Sequence, residues 1–186
     1  MDQAWFCKNA AGTKKLEFLE WAREVKQCEW DERTINAGAF EGNLEILKYC
    51  FSNGCPCDEE ESCARAAAGG HLDCLRFLVD KVEPSRDTDK EAALLAAGNG
   101  CIDILKYFVE ERKIADVVKI DCMAIVAKFG HFDCLKYLVE EAKVPLNDWE
   151  YIAFARYFGH PDCVNYCSKK GLQNQRTKNT LTLSNT

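Results

Sequence analysis

Gly70-His71-Leu72-Asp73-Cys74-Leu75-Arg76-Phe77-Leu78 decides the architecture, because its inner order recurs along the chain. That order is apolar, acidic, apolar, apolar, basic, aromatic. It stands again at Leu44-Glu45-Ile46-Leu47-Lys48-Tyr49, Ile102-Asp103-Ile104-Leu105-Lys106-Tyr107 and Phe132-Asp133-Cys134-Leu135-Lys136-Tyr137. Leu16-Glu17-Phe18-Leu19-Glu20-Trp21 and Pro161-Asp162-Cys163-Val164-Asn165-Tyr166 hold it with departures. The six first residues are 28, 28, 30, 30 and 29 positions apart. Self-similarity at such a period is the mark of stacked repeats. Within each segment the apolar residues fall at i, i+2, i+3, i+5 and i+6, which predicts a helix buried on most sides. The acidic and basic residues, three apart, pair on the remaining strip and read as a solvated face.

Upstream of every segment but the first stands a glycine: Gly42, Gly70, Gly100, Gly130 and Gly159. A glycine after a helix supplies the left-handed residue that ends it, so each predicts a turn between two helices. Seven residues earlier runs the column Ile35, Cys63, Ala93, Met123, Ile152. Three and four earlier run small residues: Gly38/Ala39, Ala66/Ala67, Ala96/Ala97 and Val126/Ala127, with Ala155/Arg156 departing. Cys7 and Ala10/Ala11 continue the register into the first unit, where Lys14 takes the glycine's place. Small-faced first helices approach closely while larger second helices fill the space behind, so a curved stack is expected. Polar starts at Asp31, Asp58, Asp87-Thr88-Asp89 and Asn147-Asp148 predict helix caps.

The expected fold is therefore all-α, a solenoid of about six helix-turn-helix repeats joined by short linker loops. The pairs lie near 2–27, 31–54, 58–83, 87–115, 118–144 and 147–170. Residues 1–170 form the repeat domain, and the polar, aperiodic stretch 171–186 is expected as a flexible tail.

Composition limits the functions open to such a stack. At 186 residues, with 47% hydrophobic and 29% charged side chains, the chain is globular in character. A net charge of −6 disfavours nucleic acid as a partner, since that needs a basic footprint. The start Met1-Asp2-Gln3-Ala4-Trp5-Phe6 lacks a basic region followed by an apolar one, and no window is apolar for roughly 18 residues. No signal peptide and no membrane role are expected, and a cytoplasmic or nuclear location follows, with the twelve cysteines reduced.

Ala67-Ala68-Gly69-Gly70-His71-Leu72-Asp73-Cys74-Leu75-Arg76-Phe77-Leu78 resembles the middle of an ankyrin repeat, as do Gly130-His131 through Leu138 and Gly159-His160. The resemblance spans roughly residues 2–170. Two departures stand beside it. The Thr-Pro-Leu-His opening is absent, its places holding Arg33-Thr34-Ile35-Asn36 or Glu61-Ser62-Cys63-Ala64. The period also falls short of the usual ~33 residues, so the β-turn fingers between pairs should be short or irregular.

His71/Cys74, His131/Cys134 and His160/Cys163 lie three apart, a spacing that suits a nucleophile pair or half a zinc site. Yet the cysteine shares its column with Ile46 and Ile104, so a packing role is expected. Cys50 and Cys167 share a column with Leu78, Phe108 and Leu138. Cys55-Pro56-Cys57, flanked by Cys50 and Cys63, is the exception: these four could hold a zinc ion or a labile disulfide. A metal- or redox-responsive protein built on them is the alternative reading, although their spacing matches no common zinc module. No P-loop, Gly-x-Ser-x-Gly or His-Glu-x-x-His is present, so no catalytic residues, cofactor, bound metal or small-molecule substrate is expected.

The favoured reading is a non-enzymatic protein–protein interaction scaffold or adaptor, a monomer whose protein partner lies on the concave face. The resemblance implies contact at finger tips, first helices and the residues before each glycine. That gives Trp30, Glu32, Phe40, Glu41, Glu60, Lys90, Asn99, Lys128, Phe129, Trp149, Tyr157 and Phe158. Phe40, Phe129 and Phe158 could equally fill gaps left by shorter repeats, and the last unit's aromatics could protect a terminal repeat.

Overall fold

The apolar runs and glycine stops fold into helices in pairs. The computed structural model describes residues 3–146 and 149–171, and among these all regular structure is helical, with no strand. Unit 1 holds α1 (Gln3–Gly12) and α2 (Leu16–Glu20), which widens into a π-helical turn over Trp21–Val25. Unit 2 holds α3 (Glu32–Glu41) and α4 (Leu44–Ser52); unit 3 holds α5 (Glu59–Gly69) and α6 (Leu72–Val82). Unit 4 holds α7 (Arg86–Gly98) and α8 (Ile102–Lys106), followed by a second π-helical turn over Tyr107–Glu111. Unit 5 holds α9 (Asp116–Phe129) and α10 (Phe132–Glu140). Unit 6 holds α11 (Trp149–Tyr157) and a helix over 161–171, α12. The expected six-pair solenoid is the observed one.

First helices stack in order, α1 on α3, α3 on α5, α5 on α7, α7 on α9 and α9 on α11. The small columns form that contact: Ala10/Ala11, Gly38/Ala39, Ala66/Ala67, Ala96/Ala97 and Val126/Ala127 are buried. Gly38 also admits its own unit's second helix, since a Cβ there would come within 3.0 Å of Ile46 on α4. Second helices stand further back and fill the space with Leu19, Leu47, Leu75, Leu105 and Leu135, all fully buried. Each contributes about 1.5–3 kcal/mol. The column Ile35, Cys63, Ala93, Met123 is buried as expected, but Ile152 is only partly so. Its neighbour Tyr151 is the buried side chain in α11.

Each turn glycine has φ between +70° and +81°, and Lys14 copies it at +62°. The next residue's amide bonds back over the turn, as in His71 to Ala66 O at 3.1 Å and His131 to Val126 O at 3.0 Å. The histidine side chain does not cap its own helix. Instead His131 Nε2–H donates to the Gly98 carbonyl at 2.7 Å, and His160 Nε2–H to the Lys128 carbonyl at 2.9 Å. Both acceptors belong to the preceding unit. Their rings lie over Gly100 and Gly130, where a Cβ would meet the imidazole at 2.7 and 2.3 Å. The glycine is thus required twice, for its backbone and for its neighbour's ring.

A second left-handed column was not anticipated. Gln27, Gly54, Glu83, Lys113 and Lys143 end the second helices with φ between +48° and +71°. The residues after them, Cys28, Cys55, Pro84, Ile114 and Val144, turn back onto the core, with amide bonds such as Cys55 N to Cys50 O at 2.9 Å. This is the apolar anchor of a helix stop.

Asp31 and Asp58 cap α3 and α5, accepting from Arg33 N and Glu61 N. For α7 the expected polar start needs correction. Ser85 is the cap, the helix begins at Arg86, and Asp89 turns inward. The linker Glu83-Pro84-Ser85 is so short that the helix starts early. Asp89 is buried and held by Arg112 Nε at 3.0 and 3.1 Å. Asn147 and Asp148 lie outside the described residues, as does the expected tail from 172 onward; Gly171 belongs to α12. The linkers show no β-strand among the described residues, in line with short or irregular fingers.

All twelve cysteines are free thiols, and most lie in the core. Cys74, Cys134 and Cys163 are as buried as Ile46 and Ile104 in their column. Burial pushes the Cys7, Cys134 and Cys167 thiols up to about 11, and Cys63, Cys74 and Cys122 up to about 12, from an ordinary 9.0.

Three outcomes follow. His131→Ala or His160→Ala should cost about 1–2 kcal/mol by orphaning a carbonyl, read as a lower guanidinium midpoint. Lys113→Gly should raise stability by about 0.5–1 kcal/mol, since a non-glycine residue is strained at positive φ. Finally, a thiol raised in the folded state stabilises below its unfolded pKa and loses that contribution as pH rises. Chemical unfolding should therefore show stability steady to about pH 8 and falling above about pH 9, by up to about 1.4 kcal/mol per unit for each buried thiol. A flat profile to pH 10.5 would contradict thiol burial.

Candidate binding surface

In every first helix the positions two, five, six and nine before the turn residue lie opposite the buried columns, at helical spacing. In the first half of the stack this outward face is polar. Lys8, Asn9, Arg33, Asn36, Glu61 and Arg65, with Phe40 and Glu41, line a hollow of about 540 Å³ across α1, α3 and α5. In the second half it turns apolar, with Leu94 and Leu95 on α7, Ala124 and Ile125 on α9, and Phe154 on α11 all part-exposed. Glu91, Asp121 and Glu150 border it at the ninth position.

Against this face the anticipated contact residues divide. Trp30 is half-buried: the Arg23 guanidinium lies 4.1 Å from its ring, and Tyr49 meets it at 6.0 Å. It wedges units 1 and 2 apart rather than standing free. Glu32, Glu60 and Lys90 are exposed on α3, α5 and α7. Asn99 is exposed, but its amide donates to Leu95 O at 2.9 Å and closes α7. Glu41 lies 3.6 Å from Lys14 Nζ. Phe40 is exposed beside the polar hollow.

The remaining residues come together at the turn ends of α9 and α11. Lys128 Nζ sits 5.2 Å from the Phe129 ring and 5.5 Å from Phe158. Phe129 stacks with His131 at 6.3 Å, and Tyr157 meets Phe158 edge-on at 5.1 Å. Tyr157 is 85% exposed. Trp149, 77% exposed, is the first residue of α11 whereas Tyr157 is the last, so about 12 Å of helix rise separates them. The structure gathers Lys128, Phe129, Tyr157 and Phe158 into one ridge and leaves Trp149 out of it.

The second helices carry a polar seam that the sequence reading missed. Tyr49 donates to Glu24 at 3.3 Å, Tyr137 to Glu110 at 3.0 Å and Tyr166 to Glu140 at 3.0 Å. Each bond joins a unit to the one before. Burial, then the glutamate bond, raises the Tyr137 and Tyr166 hydroxyls above their ordinary range. Glu140 is lowered, first by Lys170 and then by Tyr166. Acidic residues 25 to 27 positions before these tyrosines were the available signal.

The Cys50/Cys55/Cys57/Cys63 set does not converge on one point, although the Cys50 and Cys55 thiols meet. Cys50 and Cys63 are buried in α4 and α5, Cys55 is the apolar anchor of a helix stop, and Cys57 Sγ lies 3.2 Å from Ser62 Oγ. Among the described residues no group of three or more Cys, His, Asp or Glu side chains is placed to hold a metal. The Cys55 thiol is raised by its bond with Cys50 and then by burial, and Cys57 and Cys63 chiefly by burial, so these three are protonated near neutral pH. No helix among the described residues is long and apolar enough to cross a membrane.

Residues 35–121 match the family model for ankyrin repeats, in three copies. No curated protein matches the chain. The match runs from α3 into α9, and the same pairs, turns and buried columns continue on either side of it. The chain thus carries ankyrin repeats over residues 35–121, with shortened, strand-free linkers among its described residues.

Proposed function

We propose that this chain is a non-enzymatic scaffold or adaptor that binds a protein partner along the outward face and turn ends of its first helices, in the cytoplasm or nucleus. Ankyrin repeats are generally protein-interaction modules, and that coarse role is this chain's as well. The ridge of Phe129, Tyr157 and Phe158 around Lys128 carries the finer reading. Exposed aromatics gathered around one cation, on a face the fold leaves open, are the composition favoured for binding anchors. The part-exposed Leu95, Ile125 and Phe154 extend the same face. Phe40 and Glu41, with Glu32, Glu60, Lys90 and Asn99 along the stack, would form its polar remainder. Trp30 and Trp149 would contribute less, one being wedged between units and the other standing at the far end of α11. No three members of the thiol cluster are placed to hold a metal among the described residues; Cys50 and Cys63 pack in the core, Cys55 anchors a helix stop and Cys57 meets Ser62.

The test is quantitative capture with the wild-type chain as bait, followed by affinity measurement on the partner recovered. Phe129→Ala/Phe158→Ala should weaken that partner by roughly a hundredfold, and Trp149→Ala by only a few-fold. Unchanged affinity in the double variant, with helical content retained, would remove the ridge from the binding surface.

A further inference from the structure

The two end faces of the stack are built differently. In units 2–6 the residue eight before the turn glycine is Thr34, Ser62, Ala92, Cys122 or Tyr151, and all are buried. This position looks toward the preceding unit: Ser62 Oγ donates to Asn36 Oδ1 at 3.1 Å, and Cys122 Sγ to Ala93 O at 3.8 Å. The aromatic of the second helix looks the same way, in Tyr49 to Glu24, Phe77 to Phe51, Tyr107 to Arg76 and Tyr137 to Glu110. Unit 1 places Phe6 and Trp21 at these two positions, 36% and 43% exposed. Phe18 is 49% exposed in the column that buries Ile46, Cys74, Ile104, Cys134 and Cys163. Together with Trp5 they line an apolar hollow of about 680 Å³.

The opposite end carries the reverse replacement. Ala11, Ala39, Ala67, Ala97 and Ala127 each lie under the following unit, and in unit 6 that place is held by exposed Arg156, beside exposed Asn165. A polar outer face is what keeps a terminal repeat soluble. Among the described residues the α1/α2 face has no such protection.

We propose that this face is covered by a second copy of the chain, joined end to end through α1 and α2 about a two-fold axis. Continuity with the unit-to-unit interface supports it, since the exposed aromatics stand in columns that every other unit buries against a neighbour. Phe6 and Phe18 are bulkier than most of their counterparts, and two hollowed aromatic faces can interlock where a small-residue face would leave voids. The rim has both signs, with Lys15 and Lys26 lying 5.5 and 5.0 Å from the Phe18 and Trp21 rings and Glu17 lining the hollow, so copies can pair oppositely rather than repel. Covering the exposed Arg156 and Asn165 of the other end with an apolar face would strip both of water, so pairing is isologous and stops at two.

Sedimentation equilibrium of the 1–186 chain across the micromolar range tests this. The expected mass at the upper end is twice the chain's 21.1 kDa. Phe18→Glu/Trp21→Glu should return it to the single-chain mass with unchanged helical content, and Arg156→Ala should leave the doubled mass intact. A wild-type monomer throughout, a dimer that survives Phe18→Glu/Trp21→Glu, or growth beyond two copies would each overturn the proposal. Phe18 and Trp21 lie in unit 1, away from the ridge of α9 and α11, so the outcome of their replacement is independent of the partner reading.

Discussion

Everything in this stack depends on a left-handed residue placed between two helices at a fixed interval. At Gly42, Gly70, Gly100, Gly130 and Gly159 the chain reverses in one residue, which sets each second helix behind its first. Only then can the small columns meet: a wider turn would swing the leucine-bearing helices off them. The close approach of first helices, the buried leucines behind and the hydrogen bonds between units are consequences of that reversal. Lys14 shows that backbone geometry is the primary requirement, since it adopts the same conformation without being glycine. His131 over Gly100 and His160 over Gly130 show why glycine is kept where the next unit's ring must sit.

Much of this was legible because helical burial has a period. The apolar columns, the small residues and the turn glycines share one register, and apart from part-buried Ile152 and exposed Phe18, Trp21 and Phe132 the large apolar side chains fell where expected. What escaped was what lacks a residue-type signature. Gln27, Glu83, Lys113 and Lys143 occupy a conformation usually given to glycine, and only Gly54 in that column hinted at it. The apolar anchors that follow them are chemically mixed, so Cys55 looked like half of a metal site. The start of α7 was misplaced because Pro84 shortens the linker, leaving Asp89 inside as the partner of Arg112 and not at a helix end.

The candidate site was legible in part for a different reason. Exposure along a first helix follows from its position relative to the turn, so Phe129, Tyr157 and Phe158 could be picked out. Distance between residues on one helix could not be ignored, however, and Trp149 was grouped with a ridge it does not join. The part-exposed Leu95, Ile125 and Phe154 were overlooked because apolar residues in a helix read as core. Trp30 was the converse: an aromatic in a linker looked available, while Arg23 and Tyr49 hold it between units.

The histidine brace is not uniform, and this has a mechanical consequence. In the same position units 2 and 4 carry Asn43 and Cys101, whose hydrogen bonds lie within their own units, to Ile46 N and Asn99 O. Units 5 and 6 are each fastened to the preceding turn by an imidazole. A pull along the stack axis would therefore meet unequal joints. The seam ahead of unit 4, where a thiol rests on Gly70 in place of a ring, is one that would part early, and units 4–6 would stay together as the stiffer segment.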